Sequence, residues 1–176
     1  MNMDHVTRLI TLTVLCAGFA FSLAAAGDLP QVGQMAPPVT LPSQDGTKVS
    51  LADYRGKWVV LYFYPKDMTA GCTIEAHNFQ RDLDRYDQKN AVILGVSVDT
   101  VDSHQQFCTK ESLTFKLLSD SGKTVAPKYG SLGQSGMAAR NTFLIDPRGV
   151  IRKVYIHVSP GPHSEEVLAA LGELEK

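Results

Sequence analysis

A strand that runs into a helix with a cysteine at its start constrains this chain more than any other feature. Trp58-Val59-Val60-Leu61-Tyr62-Phe63-Tyr64 is an apolar run of strand length, rich in β-branched and aromatic residues, and it reads as a buried strand. Pro65 ends it. Beyond Lys66-Asp67-Met68-Thr69-Ala70-Gly71, the residues Cys72, Ala76, Phe79, Leu83 and Tyr86 recur at helical spacing. They form one apolar stripe, with Glu75, Asn78, Arg81, Asp82 and Arg85 off it. The spacing predicts a helix from about Gly71 to Asp87. A helix N-terminus offers unpaired N–H groups and the positive end of the macrodipole, which favour a thiolate over a thiol. On this ground alone, Cys72 can be a nucleophile, a metal ligand or an inert buried thiol.

The flanking segments supply the rest of one domain. Asp28 to Pro42 holds Pro30, Pro37, Pro38 and Pro42 and is expected to be extended. Val39-Thr40-Leu41 and Lys48-Val49-Ser50-Leu51 flank Ser43-Gln44-Asp45-Gly46, a hairpin signal. Ala91 to Val98 is a second buried strand, apolar enough to be covered on both faces. Ser103-His104-Gln105-Gln106 fits a capping box, which predicts a short helix carrying Phe107 and Cys108. Phe115 to Leu118 is a short strand, and Ser121 to Tyr129 reads as a helix ending at Gly130 although Pro127 lies within it. Ser131 to Ala139 reads as a mobile loop. Asn141 to Ile145 and Val150 to Ile156 are strands joined by the turn Asp146-Pro147-Arg148-Gly149. Ser164 to Leu174 closes the chain as an amphipathic helix. The order predicts an α/β, thioredoxin-like fold: an N-terminal β-hairpin and a mixed central sheet with helices on both faces.

Composition narrows the partners. The 176 residues carry a formal net charge of −1, with a sequence pI near 6.5, so there is no basic field for nucleic acid. Leu9 to Ala26 is an apolar run preceded by Arg8 and ending in Ala24-Ala25-Ala26. That is the pattern of a signal peptide over residues 1–26, leaving a domain of residues 27–176 in the periplasm. The rival is an uncleaved membrane anchor, for which the run is just long enough. Nothing beyond the run is apolar enough to span a membrane. Thr13 and Leu15 sit badly before Cys16 for lipidation. Cleavage would leave Cys72 and Cys108, in a compartment where a disulfide between them could persist. A domain of this size does not need that staple for stability, which favours a working pair over a structural one.

Two chemistries suit a helix-start cysteine. Dithiol exchange wants Cys-x-x-Cys, and Gly71-Cys72-Thr73-Ile74-Glu75 supplies one thiol. The other is attack of a single thiolate on an electrophile, giving an oxidised sulfur that a distant thiol then resolves. His77 and His104 lie near the cysteines, but no ligand spacing joins them, so no metal and no cofactor are expected. These two histidines are expected at the surface, and neither they nor His157 and His163 receive a role. Trp58, Tyr62 and Tyr64 read as the core and rim of the strand.

The motif Pro65-x-x-x-Thr69-x-x-Cys72-x-x-Glu75 resembles the active-site signature of the peroxiredoxins. Val96-Ser97-Val98-Asp99, Ser103-His104, Leu118-Ser119-Asp120 and Arg140 to Asp146 resemble the bacterioferritin comigratory protein, or Q-type, branch. The resemblance implies a thiol-dependent peroxidase. Cys72 would attack a peroxide and become a sulfenic acid. Thr69, otherwise a helix cap, would touch the thiolate and the peroxide, and Pro65 would shield the site. Arg140 would stabilise the thiolate and the charge developing on the O–O bond, with Glu75 orienting it. The branch often carries its resolving cysteine five residues after the first, where this chain has His77. Cys108 fits the arrangement with that cysteine on the next helix, which implies an intramolecular Cys72–Cys108 disulfide. A one-cysteine enzyme with an external resolving thiol is the alternative. A thioredoxin or thioredoxin-like reductant and a monomeric state are also implied. The competing functions are a thioredoxin-like disulfide exchange protein without peroxidase activity and a non-enzymatic domain with a structural bridge.

Overall fold

The computed structural model of the protein describes residues 29–175. The leader, Cys16 and the boundary at residue 27 lie outside the described residues. An antiparallel hairpin comes first, β1 (Thr40–Pro42) and β2 (Lys48–Ser50). Its turn is tied by Asp45, whose Oδ1 accepts from Ser43 Oγ and Thr47 Oγ1, both at 2.6 Å. A 3-10 turn, Leu51–Tyr54, leads into β3 (Trp58–Phe63), whose six residues are all buried. Then follow α1 (Ala70–Arg81), α2 (Leu83–Gln88), β4 (Ala91–Ser97), α3 (Val101–Glu111) and β5 (Lys116–Ser119). A 3-10 turn, Ala126–Tyr129, precedes β6 (Thr142–Ile145), β7 (Ile151–Tyr155) and α4 (His163–Leu174).

The main sheet has the order β5-β4-β3-β6-β7. β3 runs parallel to β4 and β4 parallel to β5, while β6 is antiparallel to β3 and to β7. Alternation along β3 divides the core into two layers. Trp58, Val60 and Tyr62 join the buried faces of the four α-helices. Val59, Leu61 and Phe63 join the hairpin residues Leu41 and Val49 and the 3-10 residues Ala126 and Tyr129. The mixed sheet flanked by helices is the expected architecture, but the expectation of helices on both faces is corrected: the four α-helices gather on one face, and the hairpin and 3-10 turns cover the other. Gly95 sits directly beside Tyr62 in the sheet. A Cβ there would come within 2.6 Å of Leu117 Cδ2 and 2.8 Å of Tyr62 Oη, so glycine makes room for the ring that floors the cysteine layer.

Four local expectations need correction. The helix drawn from Gly71 to Asp87 is two helices, broken at Asp82 (φ −94°, ψ 6°). Asp82 turns inward, accepting from Ser164 Oγ of α4 and from Arg81 Nη2, each at 2.7 Å. The next helix starts at Val101, because Thr100 Oγ1 is the cap that accepts from the Ser103 N–H at 3.2 Å. Most of Ser121 to Tyr129 is not helical: the Asp120 carboxylate collects the N–H groups of Thr124, Val125 and Ala126, and a single turn around Pro127 remains before Gly130 (φ 56°). Ser131 to Ala139 is a bonded loop, with Ala139 N–H on Ser131 O at 2.7 Å and Gly133 N–H on Met137 O at 2.8 Å.

Candidate active site

The site forms where β3 leaves the sheet. Phe63 donates its N–H to Asn141 O at 2.7 Å and Tyr64 donates to Val96 O at 3.0 Å, so the chain is held until it turns at Pro65. Met68 takes φ 60°, and Thr69 follows at the N-cap position of α1. Its carbonyl accepts the Thr73 N–H at 2.9 Å. Its hydroxyl makes no bond to a helix N–H and instead donates to Lys66 O at 3.0 Å. Thr69 is thus a cap by position, with its side chain turned to the loop and bonded to Lys66 O rather than to the Cys72 sulfur. Cys72 is the third residue of α1, within the turn whose N–H groups have no partner inside the helix. It is 2% exposed.

Arg140 reaches Cys72 because of strand pairing. β6 is antiparallel to β3 with Thr142 opposite Tyr62, so the residues just before β6 lie beside the start of α1. Arg140 Nη2 donates to Cys72 Sγ at 3.3 Å, and Nη1 pairs with Glu75 Oε2. Glu75 lay off the predicted apolar stripe but is buried, because it follows the guanidinium inward. Burial raises its carboxyl to about 7 against the opposing charge and hydrogen bond of Arg140. Burial works against the Arg140 charge, but the Glu75 carboxylate and the Cys72 sulfur outweigh it and hold the cation more firmly. Gly71 is part of this packing: a Cβ there would lie 3.2 Å from Arg140 Nη2 and 3.6 Å from Pro160 Cγ.

Cys108 lies in α3 and shares the helix-side core with Cys72 and Tyr62. Burial, helped by the nearby Asp67 charge and opposed by Lys116, pushes its thiol up to about 11. Among the described residues the two cysteines, Cys72 and Cys108, are both free thiols in this structure. His77 is exposed and pairs with Glu111 at 2.9 Å. His104 corrects the surface expectation: it is fully buried and its Nδ1 lies 2.9 Å from Asp67 Oδ2. Burial works to raise the Asp67 carboxyl, but hydrogen bonds from His104, Ser103 and Tyr64, with the His104 charge, hold it below the usual range.

A buried sulfur at a helix start, touched by a fixed cation, suits attack on a small electrophile by one thiol. Comparison with known proteins agrees. The AhpC/TSA family pattern matches residues 32–154. The chain belongs to the AhpC/TSA family. It is 42% identical over 148 residues to a bcp peroxiredoxin of Helicobacter pylori, covering 80% of this chain and 97% of that one. It is 39% identical over 153 residues to peroxiredoxin Bcp of Bacillus subtilis, covering 83% and 98%. Among solved structures it is similar to a cysteine-to-serine variant of Xylella fastidiosa PrxQ, with TM-score 0.80, 34% identity, and coverage of 85% and 100%. It is also similar to the bacterioferritin comigratory protein of Xanthomonas campestris, with TM-score 0.75, 35% identity, and coverage of 78% and 92%. Membership of the Bcp and Q branch of the AhpC/TSA family makes this chain a thiol-dependent peroxidase, and the disulfide exchange reading falls away.

Of the residues predicted for this family member, Cys72, Glu75 and Arg140 converge in direct contact. Thr69 and Pro65 line the loop leading to them, and Cys108 stands on a separate helix. Sequence reading missed Gly71, Asp67 and the burial of His104. One signal was present for His104: it precedes Cys108 by four residues and so shares its inward face.

Proposed function

We propose that Cys72 is the peroxidatic cysteine and Cys108 the thiol that resolves it. The Cys72 thiolate attacks one peroxide oxygen, the O–O bond breaks, and the leaving oxygen takes a proton to become water or an alcohol. Cys72 is left as a sulfenic acid. Arg140 stabilises the thiolate and the charge moving onto the leaving oxygen, Glu75 orients Arg140, Thr69 would turn its hydroxyl from Lys66 O to the peroxide, and Pro65 keeps water off the loop. Cys108 then displaces water from the Cys72 sulfur to form a disulfide, and a thioredoxin-like dithiol returns two electrons. The observation that carries this reading is the Arg140 Nη2 to Cys72 Sγ contact of 3.3 Å, made by a guanidinium already paired with Glu75.

A disulfide needs Cα atoms within about 7 Å. Cys72 begins α1 and Cys108 lies near the end of α3, so bridging calls for local unwinding of both. We further infer that residues 1–26 are an export signal, from the apolar run after Arg8 and the Ala24-Ala25-Ala26 site. The enzyme would then work in the periplasm as a monomer, with a reductant on the same side of the membrane. Peptide mapping of the exported protein, before and after one equivalent of hydrogen peroxide, tests these points together. The expected mature chain starts at Gly27 and yields linked Cys72 and Cys108 peptides, and sedimentation gives a single-chain mass. A stable Cys72 sulfenate with Cys108 still open to alkylation would rule out the internal resolving step. An intact leader would rule out cleavage.

A further inference from the structure

Three side chains close on the Asp67 carboxylate. Oδ1 accepts from Tyr64 Oη at 2.7 Å, and Oδ2 accepts from Ser103 Oγ at 2.7 Å and His104 Nδ1 at 2.9 Å. The Asp67 N–H in turn donates to Asp99 Oδ2 at 2.9 Å. Asp67 is 5% exposed and His104 0%. The His104 Nε2 has no partner, so the ring is held through Nδ1 alone, and Nδ1 carries the donated proton. Filling space does not require this arrangement, since apolar side chains would occupy it without burying a carboxylate.

The cluster is set apart by what it joins. Asp67 lies in the loop between β3 and α1, shortly before Cys72. Ser103 and His104 lie in the first half of α3, with His104 one turn ahead of Cys108 on the same face. We propose that the Asp67–His104 clamp is a positioning device for the resolving step: it holds the Cys72 loop and the Cys108 helix as one folded unit, and its release sets how fast the two sulfurs meet. The inference rests on the reading of Cys108 as the resolving thiol. In that step the Cys108 sulfur bonds to the Cys72 sulfur, the Cys72 S–O bond breaks, and the hydroxyl leaves as water with the proton of the Cys108 thiol. Unwinding either segment sheds the same hydrogen bonds, so the two local openings become a single event.

The test is single-turnover oxidation of the reduced full chain by hydrogen peroxide. Quenched samples are read by mass spectrometry for Cys72 sulfenic acid, the Cys72–Cys108 bridge and Cys72 sulfinic acid. His104→Leu, which keeps bulk and loses the donor, is expected to form the bridge about tenfold faster, since a hydrogen bond to a charged group is lost. Less sulfinic acid should then form at a given peroxide concentration. His104→Asn can present an amide nitrogen where Nδ1 stands and is expected to stay within about twofold of wild type. A merely space-filling His104 would give the reverse ranking. Ser103→Ala removes one donor with little change in packing and should accelerate the bridge by about threefold, which decides the matter if the leucine variant does not fold. Bridge formation unchanged or slowed in the folded variants overturns the clamp. A wild-type protein that consumes peroxide but never forms the bridge overturns the resolving role of Cys108 instead, and the clamp's part in that step with it.

Discussion

Cys72→Ser is expected to consume hydrogen peroxide at least about a thousandfold more slowly than wild type, because a serine hydroxyl is not ionised at neutral pH and is a poor nucleophile without a base. No described residue can replace it: the other described cysteine, Cys108, is buried with its thiol pushed up to about 11. The exchange of sulfur for oxygen is small, and the helix start and Arg140 stay in place, so the fold should survive with a stability change of about 1 kcal/mol. Stopped-flow measurement on the reduced proteins, with thermal unfolding as the control, reads both quantities. Wild-type consumption no faster than that of free cysteine would sink the peroxidatic assignment.

Arg140→Gln should have the next largest effect, lowering the second-order rate with peroxide by about a hundredfold to a thousandfold. The substitution removes the cation against Cys72 Sγ and also the partner of Glu75. Arg140→Lys should recover only part of the rate, since an ammonium cannot face the sulfur and the carboxylate with two separate N–H groups in a fixed plane. Loss within about threefold of wild type would show that Arg140 is not the cation the chemistry uses. The same variant has a pH signature. Burial raises Glu75 to about 7 even with Arg140 present. The folded state therefore binds more protons than the unfolded state between the ordinary glutamate range and about 7, and Glu75 costs stability as pH rises through that window. Without Arg140 the carboxyl moves higher still, so denaturant unfolding of Arg140→Gln should fall more steeply between pH 5 and 8 than that of wild type. Glu75→Gln should flatten this component in both backgrounds.

How much of the site was legible depended on how local its causes are. The strand at Trp58, the helix start at Cys72 and the strand at Ala91 were readable because side-chain period and β-branching act over a few residues. The helix break at Asp82 was not, since Leu83 and Tyr86 keep the period while the carboxylate answers to Ser164, far along the chain. Arg140 had no signal of its own beyond family resemblance. A lone arginine before a strand gains meaning only from the register that sets Thr142 opposite Tyr62. Glu75 falls off the apolar stripe by spacing yet is buried for the same reason: a carboxylate is drawn inward by a cation that only folding brings near. The N-terminus of α3 differs from the capping-box expectation because Ser103 suits a cap by type, whereas its hydroxyl is engaged by Asp67.

The raised Cys108 thiol carries a consequence for the order of events. Two chemically identical groups share one core, yet burial and the Asp67 charge keep the second protonated at neutral pH. Of the two described cysteines only Cys72 has a cation against its sulfur, so on the proposed reading peroxide reacts there first. If the proposed bridge forms, α3 must unwind to release Cys108, so exposure of the second sulfur and its arrival at the first would belong to one movement. On the proposed reading no separate signal is needed: the order of steps follows from which of two buried thiols has the Arg140 guanidinium against it.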